Sequence, residues 1–317
     1  MKRGYTAPSK AAPSEDSFEN VTGDRVVPEA SVVLPAHNEG SRLLQTLAAI
    51  RDTTNLRYEV IVVNDASTDS CCDALRANAS PFENLVLVDL PERDGVAHAR
   101  NLGAQHAKAP VLVAMDAHCI PRQGWLEKLL EELHQPGVGI VAPKISSLEC
   151  PAATTFGLTI RDRELGVEWL HQRANKPYPV PLVGCACMVM TRELFEAVGR
   201  FDAMRSYGME DVELCIRVWL LGYSVTMVPD AEVAHWFKKE AFPVGWHDHL
   251  YNRLRTAVLH FDGEPLRRIL ASLQTKPAFS DAVTSLLMSD IWTRHRFVRD
   301  QRKHDADWFC REFKIDL

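Results

Sequence analysis

An aspartate and a histidine, Asp116 and His118, stand at the end of an apolar segment that has the composition of a buried strand, VAMDAHC over residues 113–119. Side chains at i and i+2 of an extended chain lie on the same side of it. Carboxylate and imidazole groups are common ligands of divalent cations. The pair is therefore a candidate for half of a metal site, although the same pattern also fits a polar loop that leaves a buried strand.

The elements that would position this pair alternate along the first half of the chain. The predicted strands cover residues 30–36, 58–67, 84–90, 110–118 and 137–145, with amphipathic helices between them. These strands are continuous Val-, Ile- and Leu-rich runs, which is typical of a parallel sheet covered by helices on both faces. Ligands bind at the carboxyl ends of such strands. We therefore expect the polar segments 35–39, 64–67 and 116–118 to meet in one crevice.

The second half of the chain has a less regular pattern. Its predicted elements are a strand running into a helix over residues 185–199, a helix over 208–223, an extended segment over 224–237 that is broken at Pro229, and mostly helices from Gly245 onward. Residues 1–27 are rich in Pro, Ser, Ala and Glu, which predicts a disordered leader. We place an α/β domain at 28–262 and a helical C-terminal extension at 263–317.

Composition narrows the class of protein. The chain has 317 residues, 46% hydrophobic and 25% charged, with a net charge of −6. These values are ordinary for a globular protein, and the acidic balance argues against a nucleic-acid partner. No apolar run approaches the roughly 20 residues of a transmembrane helix, and the N-terminus lacks the apolar region of a secretory signal. We therefore expect a cytoplasmic protein.

Two further features are interpreted as structural. The chain has eight cysteines, Cys71, Cys72, Cys119, Cys150, Cys185, Cys187, Cys215 and Cys310. No CxxC pair occurs among them, so we expect no structural zinc site and interpret them as reduced thiols that mostly pack in the core. His247 and His249 lie on a predicted helix, where residues two apart do not share a face. We interpret them as a solvated or acceptor-side pair.

The first strand is not followed by GxGxxG, and the chain has no GxxxxGK[ST]. A nucleotide diphosphate would then be held by a divalent cation. Six segments in order, VVLPAHNEG, VIVVNDASTD, DGVAHARNLGAQHA, VAMDAH, GRFDAMRSYGMEDVELCIRVWLLGYSV and AEVAHWF, resemble the family 2 nucleotide-sugar glycosyltransferases. The resemblance covers about residues 31–237. It implies a GT-A fold with a mainly parallel sheet, and a glycosyltransferase activity.

Within that superfamily the metal motif resembles the polypeptide N-acetylgalactosaminyltransferases. Most members carry Asp-x-Asp after the fourth strand, whereas this chain has Asp116-Ala117-His118, and AEVAHWFKK resembles the later metal-ligand histidine of those enzymes. The resemblance implies that Asp116, His118 and His235 bind one divalent ion. Two nitrogens and one carboxylate suit Mn²⁺ better than Mg²⁺, which prefers oxygen.

The same resemblance implies a binding site for a UDP-sugar. Pro35, His37 and Glu39 would meet the uracil and ribose, and Asp65 would contact the uracil ring. The remaining predicted contacts to the sugar nucleotide are Asp94, Gly95, Arg100, Asp116 and, at the diphosphate, Lys238.

The resemblance also assigns the chemistry. In inverting family 2 enzymes an acidic pair at the start of a helix supplies the base, and Glu210 and Asp211 stand in that position. The polypeptide N-acetylgalactosaminyltransferases are retaining and have Asn where this chain has Asp211. We therefore expect inversion with Asp211 as base, and we expect the helix N-terminus to keep its pKa low.

The acceptor is assigned by weighing alternatives. The expected activity is transfer of a hexose or N-acetylhexosamine to a soluble acceptor, a peptide Ser, Thr or Cys side chain, over an aromatic floor formed by Trp236, Trp246 and Tyr251. One alternative is transfer to a lipid-linked or cell-surface glycan. Another is a non-catalytic module that binds a sugar nucleotide.

Overall fold

The computed structural model of the protein describes residues 27–76, 82, 84–171, 174–237 and 244–317. The predicted disordered leader, apart from Val27, lies outside these ranges, as does Lys238. The strands are β1 (Ala30–Ala36), β2 (Tyr58–Asn64), β3 (Leu85–Asp89), β4 (Val111–Met115), β5 (Cys119–Pro121), β6 (Val138–Ser147), β7 (Thr154–Thr155), β8 (Leu158–Ile160), β9 (Val167–Trp169), β10 (Tyr178–Pro179), β11 (Cys187–Thr191) and β12 (Ser224–His235).

Helices lie between most of these strands and form the C-terminal part. They are α1 (Arg42–Thr53), α2 (Asp73–Arg76), α3 (Val96–His106), α4 (Trp125–Leu133), α5 (Arg192–Ala197), α6 (Glu210–Leu220), α7 (Trp246–His260), α8 (Gly263–Leu273), α9 (Phe279–Leu287), α10 (Ile291–Gln301) and α11 (Ala306–Phe313). None of the helices in the described ranges combines the length and apolar character that a bilayer crossing requires.

One large mixed sheet carries most of the strands, in the order β10-β12-β6-β11-β4-β1-β2-β3. The pairs β1–β2, β1–β4 and β2–β3 are parallel, which confirms the sheet predicted for the first half. Strand β11 enters between β4 and β6 and is antiparallel to both. The parallel half therefore ends at β4, next to the predicted metal residues.

Both faces of the sheet are buried, as the continuous apolar strands predicted. In β2, Val60 and Val62 belong to one core cluster, whereas Ile61 and Val63 belong to the cluster on the other face. Helices cover both faces because successive side chains of a strand point to opposite sides and each side here is apolar.

The extended segment predicted over residues 224–237 forms strand β12, which covers Ser224–His235. Strand β12 runs unbroken through Pro229 and pairs in parallel with β6, with a shift of register between Val228 and Glu232. A bulge of this kind accommodates a proline, which has no N–H to donate to the ladder. The break predicted at Pro229 is therefore a bulge in the pairing of β12 with β6, and the strand itself continues to His235.

Short strands between β6 and β11 were not predicted. Strands β7 to β10 have two or three residues each, so no alternation of apolar and polar residues can develop within them. Two of them, β8 and β9, form a separate antiparallel hairpin. This hairpin forms part of the wall of the site described below.

The C-terminal helices share the core of the sheet domain. Trp219 of α6 packs between the rings of Trp308 and Phe313 on α11, and Ile269, Leu286 and other apolar side chains of the last helices belong to the same buried cluster as α6. A mostly helical C-terminal part is confirmed. The boundary proposed at residues 262 and 263 stays a prediction.

Candidate active site

A cavity of about 710 Å³ lies at the carboxyl ends of β1, β2 and β4. It is lined by most of the residues that the sequence predicted, namely Pro35, His37, Glu39, Asp65, Arg100, Asp116, His118, Glu210, Asp211 and His235. The three polar strand ends therefore meet in one crevice, as expected for an open α/β sheet.

Asp116, His118 and His235 come together although His235 is distant from the others in sequence. The end of β12 pairs antiparallel with β5, with His235 opposite Cys119. One ligand atom from each of the three side chains lies within 4.8 Å of the others. Among the described residues, this is the one group of acidic, histidine or cysteine side chains with such a spacing.

The donor set fits a divalent cation. The Nε2 atom of His235 lies 3.4 Å from Oδ2 of Asp116, and ligand atoms each bound roughly 2.1 Å from one ion lie about 3 to 4 Å apart. The buried Nδ1 of His235 has no hydrogen-bond partner among the described residues. Two imidazoles and one carboxylate form a mixed nitrogen and oxygen set that suits Mn²⁺.

Arg100 of α3 connects the candidate metal-binding group, through Asp116, to Glu210 of the predicted catalytic pair. Its buried guanidinium donates to Oδ1 of Asp116 at 2.7 Å and to Oε1 of Glu210 at 2.8 Å. Burial alone would raise the pKa of Asp116, but the hydrogen bond from His235 and the charge of Arg100 outweigh it and hold the pKa well below its usual range. Arg100 thus lies between two carboxylates of the cavity.

Asp211 lies in the first turn of α6. Its carboxylate accepts hydrogen bonds from the backbone N–H of Cys185 at 3.3 Å and of Val212 at 2.8 Å. Burial and the adjacent Glu210 raise the pKa of Asp211 from 3.8 to about 7, although Arg100 and the two N–H groups act in the opposite direction. The expectation that the helix N-terminus keeps this pKa low was therefore wrong, because desolvation outweighs it.

The predicted nucleotide residues form a connected group around Asp65. The backbone carbonyl of Asp65 is 2.7 Å from Nδ1 of His37. Its buried carboxylate accepts from the N–H groups of Asp94 at 2.8 Å and Gly95 at 3.1 Å. Asp65 thereby fixes the loop between β3 and α3.

Asp94 and Gly95 line a neighbouring cleft of about 690 Å³. The two cavities share Arg93 and Ser206 in their walls. Glu39 contacts His118 of the candidate metal-binding group. All of the predicted nucleotide contacts stay predictions, namely those of Pro35, His37, Glu39, Asp65, Asp94, Gly95, Arg100 and Asp116.

The predicted aromatic floor is not formed. Tyr251 is buried beneath Arg205, Trp246 is half exposed beside His249, and Trp236 lies under Arg42. These three rings lie apart because Trp236 follows the end of β12, whereas Trp246 and Tyr251 lie on two sides of α7.

Other side chains form the apolar wall of the cavity, and the sequence did not predict them. They are Leu158, Leu165, Val167 and Trp169 of the β8–β9 hairpin, together with Phe237. The ring of Phe237 contacts both Trp169 and His235. The one available signal was a tryptophan in the short segment GVEW. All eight cysteines are free thiols, and Cys185 and Cys187 are buried, as predicted.

Comparison with known proteins agrees with this geometry. The model of the family described as "Glycosyl transferase family 2" matches residues 31–199. Polypeptide N-acetylgalactosaminyltransferase 6 of Bos taurus is 29% identical over 306 residues, covering 86% of this chain and 49% of the relative. Polypeptide N-acetylgalactosaminyltransferase 3 of Homo sapiens is 30% identical over 262 residues, covering 74% and 41%. The chain thus spans about half the length of the curated relatives it matches.

Solved structures show the same architecture. The crystal structure of GalNAc-T7 with UDP, GalNAc and Mn²⁺ superposes with a TM-score of 0.75 at 22% identity, covering 92% of this chain and 58% of that one. A mannosyltransferase from Pyrobaculum calidifontis in complex with GDP-Man and Mn²⁺ gives 0.53 at 23%, covering 87% and 86%. These likenesses confirm the GT-A fold. The family match, which spans more than half of the chain, shows that this protein belongs to glycosyl transferase family 2.

Proposed function

We propose that the protein transfers an N-acetylhexosamine, with N-acetylgalactosamine as the first candidate, from a UDP carrier to a peptide hydroxyl or thiol in a Mn²⁺-dependent reaction. The observation that carries this proposal is the presence of Asp116, His118, His235 and Asp211 in one cavity. Two facts about similar proteins support the donor and the acceptor class. The relatives are named as polypeptide N-acetylgalactosaminyltransferases, and the GalNAc-T7 structure contains UDP, GalNAc and Mn²⁺.

Different side chains of the cavity would bind the cation at the diphosphate and the base of the nucleotide. Asp116, His118 and His235 would hold the cation, which when bound neutralises the diphosphate and stabilises it as a leaving group. We also propose that Pro35, His37 and Asp65, which line the same cavity, contact the base of the nucleotide.

We further propose inversion at the anomeric carbon, with Asp211 as the base. The acceptor oxygen or sulfur forms a bond to the anomeric carbon while the bond from that carbon to the diphosphate oxygen breaks, and its electron pair leaves with UDP. Asp211 takes the proton of the acceptor. A pKa of about 7 suits this role, because a general base works best when its pKa lies near the working pH.

Release of UDP from a panel of UDP-sugars tests the donor and the metal. We expect slow hydrolysis of one donor with Mn²⁺, loss of hydrolysis with a chelator, and loss in Asp116→Ala. The variant Asp52→Asn, at an exposed carboxylate on α1, serves as the control and should match the wild type. A folded wild-type protein that neither hydrolyses nor binds any donor would refute the proposal.

The stereochemistry and the acceptor need a second experiment. A Ser-, Thr- and Cys-containing peptide library is incubated with the active donor, and the anomeric configuration of the product is read from its proton NMR coupling. A configuration opposite to that of the donor supports Asp211 as the base in a single displacement. Retention of configuration would reject that role.

A further inference from the structure

His118 is held on its Nδ1 side by a buried glutamate. The Nδ1 atom lies 3.0 Å from Oε2 of Glu39, whose side chain is 5% exposed. An ionised carboxylate can only accept a hydrogen bond, so with Glu39 ionised this contact requires the His118 tautomer that carries its proton on Nδ1. The lone pair of Nε2 is then available to a cation, which is the arrangement by which a carboxylate orients a metal-ligating histidine.

His118 is also held on a second side, by Trp236. The indole ring lies edge-on to the imidazole, with 6.0 Å between ring centroids and an interplanar angle of 89°. The backbone N–H of Trp236 donates to the carbonyl of His118 at 3.2 Å. Trp236 directly follows the ligand His235, so the residue after one ligand packs on the other.

Arg42 in turn fixes the indole. Its guanidinium carbon lies 3.2 Å from the centroid of the Trp236 ring, a close cation–π contact. Arg42 is the first residue of α1, where a positive charge is unfavourable because the helix N-terminus is itself positive. The contact with Trp236 offsets that disadvantage and ties α1 to the end of β12.

We propose that Glu39, Trp236 and Arg42 form a bracket that positions His118 as a ligand of the divalent cation. The inference rests on the metal site of the proposed function and deepens it. It gives Glu39 a positioning role at the metal. It also assigns Trp236 to the positioning of His118 and not to a floor for the acceptor.

Mn²⁺ affinity of the nucleotide-free protein tests the bracket without any turnover. Free Mn²⁺ is measured by electron paramagnetic resonance for wild type, Asp116→Asn, Glu39→Gln, Trp236→Phe and Arg42→Gln. We expect Glu39→Gln to weaken Mn²⁺ binding about 10- to 100-fold, as loss of such a partner typically does. Trp236→Phe and Arg42→Gln should weaken it less, because they act through ring packing.

Matched variants control for general loss of stability. Glu59→Gln removes another buried glutamate, which bonds Ser31 at the opposite end of the sheet. Trp292→Phe changes an exposed tryptophan on α10, and Arg51→Gln changes the last turn of α1. These variants should keep wild-type affinity. The absorption spectrum of the Co²⁺-loaded protein reports ligand geometry, and it should change in Glu39→Gln but not in Glu59→Gln.

The outcomes distinguish a failure of the bracket from a failure of the proposed metal site. If the wild type does not bind Mn²⁺, or if Asp116→Asn binds it equally well, the proposed metal site fails and the bracket with it. If the wild type binds Mn²⁺ and Asp116→Asn does not, while Glu39→Gln, Trp236→Phe and Arg42→Gln retain wild-type affinity and the wild-type Co²⁺ spectrum, the metal site stands and the bracket is overturned.

Discussion

Asp211 is the residue whose protonation should govern the rate. A base must be ionised to accept a proton, and the pKa of Asp211 is raised to about 7. We therefore expect kcat/KM to rise with pH through an apparent pKa near 7 and to fall about tenfold per pH unit below it. Asp211→Asn should lower kcat/KM about 10²- to 10⁴-fold and remove this limb. Initial rates from pH 5.5 to 8.5 measure both, and a pH-independent wild-type rate would contradict the assignment.

The raised pKa of Asp211 should also lower the free energy of unfolding of the protein at neutral and alkaline pH. Because the folded protein binds the proton of Asp211 more tightly than the unfolded chain does, its free energy of unfolding falls as pH rises from about 3.8 to about 7. Asp211→Asn should therefore stabilise the metal-free protein at pH 8 by at most about 4 kcal/mol, and change little at pH 4. Urea unfolding at the two pH values measures this. An equal effect at both values would show that the carboxylate charge is not responsible.

At the residue scale, the sequence predicted which residues line the candidate site better than it predicted their contacts and pKa values. The spacing of Asp116 and His118, together with the family resemblance around His235, predicted that these three side chains lie together, and their ligand atoms lie within 4.8 Å of one another. The contact between Glu39 and His118 joins the ends of two different strands, and no local pattern encodes it. The pKa of Asp211 depends on burial beside Glu210, which the sequence does not specify.

The loop between β3 and α3 is the element on which the shape of the site most depends. Gly95 has φ 94° and ψ 164°, a region that only glycine readily occupies. A Cβ there would lie 2.7 Å from the carbonyl oxygen of Ser206. The loop must therefore press closely against the segment before α6 for Asp65 to accept its two N–H groups.

Gly95→Ala should destabilise the protein far more than a glycine substitution of similar φ elsewhere. Gly124 has φ 71° and ψ 20°, with no atom within 4 Å of the added Cβ, so Gly124→Ala should cost only about 1–2 kcal/mol. Gly95→Ala adds both the clash and the strain of a backbone region that only glycine readily occupies, and should cost about 3 kcal/mol or more. Urea unfolding compares the two, and equal costs would mean that the contact with Ser206 is not tight in solution.

At the element scale, long apolar strands were predictable and short ones were not. Strands β1, β2 and β4 each contain an uninterrupted run of five or six buried residues, which gives a clear pattern. Strands β8 and β9 have three residues each. The apolar wall of the cavity, including Trp169, was missed for that reason.

At the scale of the whole molecule, ion pairs of buried side chains connect α6 and α7 to their neighbours. Arg217 and Glu213 on α6 are both fully buried, and His260 of α7 lies 2.9 Å from Glu213. Nearby, the buried Arg255 of α7 bonds Asp202 and Asp290, each at 2.8 Å. Arg294 of α10 also lies 3.5 Å from the buried Asp202, so α10 is held by charge as well as by apolar packing.

Breaking one of these pairs should be costly. Arg217→Met leaves Glu213 buried with His260 alone, and removal of one partner of a buried pair typically costs about 3–5 kcal/mol. Arg267→Met breaks an exposed pair with Glu264 and should cost less than about 1 kcal/mol. The difference in thermal midpoint between the variants measures this. Similar midpoints would mean that solvent reaches Glu213.

The antiparallel pairing of β5 with β12 has a consequence for the order of folding. Strands β1 to β4 end by Met115, whereas His235 is in the last strand, so the proposed cation can bind its full ligand set only after β12 has docked. We expect this docking to follow the rate-limiting step of folding. An interaction that forms after the rate-limiting step slows unfolding without speeding folding. In stopped-flow experiments we therefore expect Mn²⁺ to leave the refolding rate unchanged and to lower the unfolding rate. Faster refolding in Mn²⁺ would instead mean that β12 docks before the rate-limiting step. The ion would then stabilise the transition state for folding as well as the native state.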